Sequence, residues 1–241
     1  MIRTRRNSDQ AATARTRVIF VTDSSRSGWT VRLHGVIDFR MIDIMRNEKA
    51  NARAAAKDAS HERIVSAAAR AIRRSGYDGT GVADIMKEAG LTHGAFYAHF
   101  SSREGMLAEA ASRACAEAAA AAAEAIANVP PAKALETMAR IYLSQEHLAG
   151  IEAGCPLAAL GSETPRQVPE VRRAITRYLK EMIDLVARQL PDWGQPSSHE
   201  QALVTVSTMV GALLLARAVD EPALSERLRA AVLKQWVPTE A

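Results

Sequence analysis

An all-α protein is what this sequence predicts, and three features carry that prediction. Ala, Leu and Arg are in excess while aromatic residues make up only 5%, a balance that favours helices over sheets. Apolar residues recur every three to four positions in one segment after another. Those segments are punctuated by Gly, Pro and Ser/Thr where helices begin and end. The 241 residues can bury a sizeable core in one large or two ordinary domains.

Residues 1–45 do not read as part of the domain that follows. They mix Arg, Ser and Thr with short β-like runs, Val18 to Val21 and Val31 to Ile37. Met41 or Met45 offers an alternative start, which would make the upstream residues a mis-assigned extension. The competing reading is a disordered basic arm that adds phosphate contacts. A signal peptide is disfavoured, because no apolar core precedes a small-residue cleavage site. Residues 46–59 are polar and helix-friendly, and Arg46, Lys49, Arg53 and Lys57 form a basic lead-in or simply a solvated helix start.

The first helix of the next unit runs from Ser60 to Ser75, with Ile64, Ala67, Ala68, Ala71 and Ile72 on its apolar stripe and Gly76 ending it. Arg70, Arg73 and Arg74 are expected to face solvent, and Tyr77 to plug the core. Thr80 is placed as the cap of a second helix in which Val82, Ile85, Met86 and Ala89 share a face. Gly90-Leu91-Thr92 breaks that helix, and Thr92 caps a third. There Phe96 and Phe100, one turn apart, bury inward and leave His93, Ala95, Tyr97 and His99 on or beside the outer face. This is a helix-turn-helix with a presentable last helix.

Ser101 and Glu104 have capping-box spacing for the following helix, with Ser102 as the other candidate cap. That Ala-rich helix extends from about Arg103 to Ala127, until Pro130-Pro131. Five more helices follow: Ala132 to Ala149, Ala153 to Leu160, Pro169 to Leu190, Ser198 to Val219 and Leu224 to Trp236. The fourth of these is apolar around most of its circumference and needs cover on more than one side.

Charge is distributed unevenly along the chain. Net charge is +4, with eight Arg against four acids in residues 1–45, ten Lys/Arg against seven acids in 46–108, and thirteen against sixteen in 109–241. The basic part is the part carrying the helix-turn-helix. Cys115 and Cys155 have no Cys or His at metal-ligand spacing, so neither a disulfide framework nor a metal site is indicated, and a reducing cytoplasm fits. No apolar run approaches the roughly 20 residues of a membrane helix; the longest candidate is Val210 to Ala216. A phosphate-cradling Gly loop, a His-Glu metal motif and a Gly-x-Ser-x-Gly turn are all missing, and His61, His147 and His199 are scattered without evident partners, which argues against an enzyme and implies no cofactor.

Gly76-Tyr77, Thr80, Val82, Asp84-Ile85, Ala89-Gly90-Leu91-Thr92, Gly94, Phe96-Tyr97, His99-Phe100 and Ser102-Arg103-Glu104 together resemble the DNA-binding signature of the TetR/AcrR family of bacterial transcription regulators. The similarity covers about the quarter of the chain from Ser60 to Leu107. It implies a three-helix DNA-binding domain over residues 46–107, followed by a helical effector-binding and dimerisation domain over 108–241. The implied partners are a double-stranded DNA operator, a second copy of the chain through the last two helices, and a small-molecule effector, with no membrane.

By that resemblance Tyr97, His99 and Arg103 match positions that hold the DNA backbone, although His99 can instead pack against the first helix. Thr80 and Thr92 hydroxyls can join them where capping leaves them free. Base reading falls to His93, Gly94 and Ala95. Only His93 offers hydrogen bonds, Ala95 can touch a thymine methyl, and Gly94 permits close approach. The effector site implied between Glu109 and Leu190 has Met138, Tyr142, Cys155, Tyr178 and Met182 as candidate liners, each of which plain core packing also explains. The function expected is a dimeric, ligand-released repressor. A ligand-independent regulator, or one that responds to redox state through Cys155, is the alternative.

Overall fold

The structure, a computed structural model, describes residues 39–236. The chain divides into two compact units, Met1–Asp58 and Ala59–Ala241. Among the described residues there is no strand. The β-like runs at 18–21 and 31–37 lie outside the described residues.

Helix α1 spans Phe39–Ser75, so the helix expected from Ser60 begins well upstream of it. The run from Arg46 to Ala59 is wholly exposed, whereas Ile64, Val65, Ala67, Ala68 and Ile72 are buried. That contrast follows the composition: Ala is the only apolar residue type between Arg46 and Ala59, and a segment without larger apolar side chains has little to bury. Gly76 ends the helix at φ 74°, and its amide still donates to the Ile72 carbonyl at 2.8 Å.

Helix α2 (Val82–Glu88) buries Ile85 and Met86, and Gly90 at φ 69° turns the chain as the sequence predicts. Two capping expectations are corrected. Thr80 does not cap α2; Gly81 holds that position without a side-chain bond, and the Thr80 hydroxyl donates to the Gly76 carbonyl at 2.6 Å. The third helix is a 3₁₀ helix, His93–Ala98, in place of an α-helix, and Thr92 stands at its N-cap without a capping bond. Gly94 and the run of His, Phe and Tyr are weak helix formers. Phe96 within the 3₁₀ helix and Phe100 just beyond it are both buried all the same.

Helix α3 (Arg103–Ile126) starts at Ser102, whose hydroxyl accepts from the Gly105 amide at 3.0 Å, the second of the two caps considered. The segment expected as one helix from Ala132 to Ala149 is two, α4 (Pro131–Tyr142) and α5 (Gln145–Ala149), parted at Ser144, whose hydroxyl caps α5. A 3₁₀ turn at Ile151–Ala153 leads into α6 (Pro156–Leu160), and a second one, Thr164–Arg166, into α7 (Pro169–Ala187). The chain closes with α8 (Pro196–Ala218) and α9 (Pro222–Leu233).

Helix α7 lies between α3 and α8, and α8 also packs on α9 and α6. Val171, Ile175, Tyr178, Met182, Ile183 and Val186 are buried, while Leu179 stays exposed. Each such side chain removed from water contributes about 1.5–3 kcal/mol before conformational entropy is charged against it. One core cluster joins Ile64, Ile72, Tyr77, Ile85, Phe96 and Phe100 to Met106 and Ala110 of α3, Leu160 of α6 and Val171 of α7. The helix-turn-helix is therefore packed directly onto the helical domain.

By length and mean composition α8 is apolar enough to cross a membrane, with a mean hydropathy of 1.5 over its best window, although polar residues such as Thr205, Ser207 and Thr208 interrupt it. It buries Ala202, Val206, Met209, Ala212 and Leu213 inside the protein. Its other side carries exposed Leu203, Val204 and Leu215. Val204, Thr208, Gly211 and Leu215 stand three or four residues apart in one seam, and a Cβ added at Gly211 would meet nothing within 4 Å.

Candidate functional site

The turn from Thr92 to Ala98 presents an outward face. Thr92, His93, Gly94, Tyr97 and Ala98 are exposed and Ala95 is half-buried, while Phe96 beneath them is buried. Tyr97 is 72% exposed, the most open large side chain among the exposed hydrophobics. Its ring meets His93 edge-on at 6.3 Å and Phe96 at 5.3 Å, which orients the phenol without covering it. Gly94 has open space where a Cβ would go. Nothing inside the fold requires a glycine there.

Thr80, His99 and Arg103 sit differently from that face. Thr80 is 4% exposed and its hydroxyl is committed to Gly76, so it is not free for phosphate as expected. Arg103 straps the domain from within: its guanidinium donates to the Tyr77 carbonyl and to the Thr80 carbonyl at 3.0 Å. His99 is half-buried with its ring 5.8 Å from that of His61 on α1, the packing role considered for it. His61 itself stacks on Phe100 at 4.6 Å and bonds Glu109 at 2.7 Å, so it has the partners that sequence did not reveal.

Of the arginines at the end of α1, Arg74 is exposed and Arg70 partly so, in line with expectation, and Arg73 is corrected. Arg73, expected in solvent, is 3% exposed and reaches Glu117 of α3 at 2.7 Å. Arg70 and Arg74 converge on Glu88 at 2.8 and 3.2 Å, and Arg74 also takes Glu152 at 2.7 Å. Burial pulls the Glu88 pKa upward, but the hydrogen bonds from Arg70 and Arg74 outweigh it and hold the carboxyl below its usual value. A further tie was invisible in the sequence. Glu163, after α6, accepts the Tyr77 amide at 2.8 Å, 86 positions away.

The five candidate effector residues come together. Met138, Tyr142, Cys155, Tyr178 and Met182 all line one cavity of about 250 Å³ among α3, α4, α7, α8 and the segment before α6. The other walls are mostly Ala, Leu and Val. The Tyr178 hydroxyl points to the Cys155 Sγ at 3.7 Å, and the buried Tyr142 hydroxyl has the same thiol beside it but no nitrogen or oxygen partner. Burial holds both phenol pKa values well above the ordinary, so both stay protonated donors.

His147, which sequence reasoning left unpartnered, completes the wall. Its Nε2 accepts the Cys155 amide at 3.1 Å, so Nδ1 carries the proton and donates to the Tyr142 carbonyl at 2.7 Å. Burial lowers its pKa, which keeps the ring neutral. Two arginines from the last helices fasten the same segment. Arg217 donates to the His147 carbonyl at 2.6 Å and the Leu148 carbonyl at 3.2 Å, and buried Arg229 donates to the Leu143 carbonyl at 2.8 Å. Among the described residues no group of His, Cys, Asp and Glu could hold a metal ion.

Comparison with known proteins agrees with this architecture. The family described as bacterial regulatory proteins, tetR family, matches residues 64–110, and that of the LmrA/YxaF-like transcriptional regulator C-terminal domain matches residues 131–231. An HTH-type transcriptional regulator of Mycobacterium tuberculosis strain H37Rv is 32% identical over 165 residues, 65% of this chain and 83% of the relative. The HTH-type transcriptional regulator LmrA of Bacillus subtilis is 29% identical over 169 residues, covering 65% and 85%. Among solved structures, reduced E. coli NemR superposes with a TM-score of 0.64 at 19% identity, covering 73% of this chain and 94% of NemR. A TetR-family regulator from Agrobacterium tumefaciens gives 0.63 at 22%, covering 74% and 98%. The chain belongs to the TetR family of bacterial transcription regulators, and it is a DNA-binding regulator of transcription.

Proposed function

We propose that the protein is a homodimeric repressor that leaves a palindromic operator when a neutral, largely apolar small molecule occupies the cavity of its helical domain. The observation that carries the ligand part is the buried Tyr142 hydroxyl, which has the weakly accepting Cys155 thiol beside it and no nitrogen or oxygen partner, at a cavity walled by apolar side chains. A buried hydroxyl so weakly satisfied gains from a ligand that bonds it. His147 is neutral with both nitrogens engaged, and the charged liner Glu146 is exposed, so the interior has no group to pair a ligand charge.

On the DNA side, His93 is the direct base reader, Gly94 allows close approach, Ala95 makes apolar contact, and Tyr97 and Thr92 hold phosphates. Arg103, His99 and Thr80 act chiefly by keeping the turn in place. With small residues at most base-facing positions, shape and water carry much of the specificity. The exposed seam of α8 supports the dimer: Gly211 lets a second copy of the helix approach, with Val204 and Leu215 as its apolar flanks. Dimerisation would set two reading turns about one DNA turn apart, roughly 34 Å.

Three probes of one size separate the cavity chemistry: 2-naphthol, naphthalene and 2-naphthoate. The neutral phenol is expected to raise the Tm most, and Tyr142→Phe to reduce its effect to that of naphthalene. Equal stabilisation by 2-naphthoate, or a full response in Tyr142→Phe, would overturn the assignment. The alternative is a redox-responsive regulator, favoured by the placement of the Cys155 thiol on the cavity wall beside Tyr178. Loss of operator binding on mild oxidation, absent in Cys155→Ser, would establish it; an unaltered oxidative response in that variant would remove it.

A further inference from the structure

We infer that the basic face of α1 formed by Arg46, Lys49, Arg53 and Lys57 is a second, sequence-independent binding site for the phosphates of duplex DNA. The inference rests on the chain being a DNA-binding regulator and concerns a segment upstream of the helix-turn-helix. Four observations lead to it.

The first is geometric. Spacings of three, four and four residues keep all four side chains within an arc of about 80° on a helix of 3.6 residues per turn, over a length of roughly 16 Å. The nearby acids fall elsewhere, Glu48 near the opposite side and Asp58 well off the stripe. Duplex DNA carries one charge per about 1.7 Å of axis, so a straight cationic stripe of this length meets several phosphates.

The second is a comparison of cations. Residues 46–108 hold ten Lys and Arg, but those around the helix-turn-helix are largely committed. Arg70, Arg73 and Arg74 are paired with Glu88, Glu117 and Glu152, and Arg103 is bonded to two carbonyls. Arg46, Lys49, Arg53 and Lys57 are exposed and make no ion pair among the described residues. Apart from Arg63 and Lys87, the uncommitted positive charge of residues 46–108 is therefore concentrated on this stripe.

The third excludes other partners. Between Arg46 and Lys57 the only apolar residues are Ala. A helix that lies in a membrane surface needs Trp, Phe or Leu opposite its cations, and a coiled-coil partner needs an apolar seam. Neither is present. The fourth concerns stability: an exposed helical segment without tertiary packing is marginal in water, and neutralising four aligned like charges against a polyanion relieves their mutual repulsion.

The test replaces all four residues with Gln, which preserves helix propensity, in the full chain. Binding is measured against salt on the operator and on an unrelated duplex. The expected result is a loss of affinity on both duplexes by the same factor, with the slope of log K against log[salt] shallower by about 3 to 4, at about 0.9 per phosphate contact. The ratio between operator and unrelated DNA stays as in the wild type, and circular dichroism shows an intact fold. An unchanged salt slope overturns the proposal, and so does a loss confined to the operator. Binding of the wild type to phosphatidylglycerol vesicles, lost in the variant while its DNA slope is unaltered, would assign the stripe to a membrane surface instead. Were the wild type to show no operator preference, the repressor reading would fail while the slope on unrelated DNA still reported on the stripe.

Discussion

In the helix-turn-helix the side chains aimed outward, Thr92, His93 and Tyr97, are exposed and the turn beneath them is tied down by Phe96, Phe100, Arg103 and Thr80. Around the cavity the arrangement is reversed: the face offered to a ligand is buried, and its supports, Arg217 and Arg229, come from the final helices. One region is a rigid base with an open face; the other is a closed wall held from behind. The first suits a polyanion that arrives from solvent, and the second a small molecule that must leave water. The Tyr77 amide on Glu163 and the Arg73 pair with Glu117 tie the two regions together.

The largest expected effect lies at that junction. Tyr77 is fully buried in the core cluster shared by both regions, so Tyr77→Ala should cost about 3–5 kcal/mol, measured by urea unfolding. A loss below about 1 kcal/mol would mean that the two regions are not packed as one body. His93→Ala sharpens the comparison on the open face. Stability should be unchanged, while discrimination at one base pair per half-site falls by about 1–3 kcal/mol, read from a set of operator variants. Equal weakening on every sequence would make His93 a phosphate contact.

Gly211→Leu tests the seam on α8. Its Cβ meets nothing within the protomer, so the fold should hold while sedimentation shows the dimer weakened about tenfold or more, roughly 1.4 kcal/mol. An undisturbed dimer would place the interface elsewhere. The smallest effect belongs to His147. Its folded-state pKa is lowered by burial, so the stability it contributes is complete above the unfolded value of about 6.5 and is lost as pH falls through and below it. Melting between pH 7.5 and 5 should show a decline that is shallower in His147→Gln. An identical decline in the variant would mean that other groups carry it.

What the sequence made legible follows the range of the interactions. Gly76, Gly90 and the Phe96/Phe100 pair act within a turn or two of themselves, and their roles were readable from spacing. Tyr178 and Met182, one turn apart on α7, share a face for the same reason. The 3₁₀ winding of residues 93–98 was not readable, because weak helix formers leave the choice to packing. Neither were the buried Arg73, the Glu163 tie or the His147 bridge. Their partners lie 5 to 86 positions away, and a charged residue on a helix is solvent-facing until a partner across the fold draws it in.

Footprinting on the DNA flanking the protein's own gene, with wild type and Tyr97→Ala side by side, tests the central claim most directly. The expected result is a protected segment of near-palindromic sequence in the wild type. In the variant, whose thermal unfolding should match the wild type because Tyr97 is 72% exposed, that protection should be lost or greatly reduced. Equal protection by Tyr97→Ala would contradict the assignment of this face to DNA.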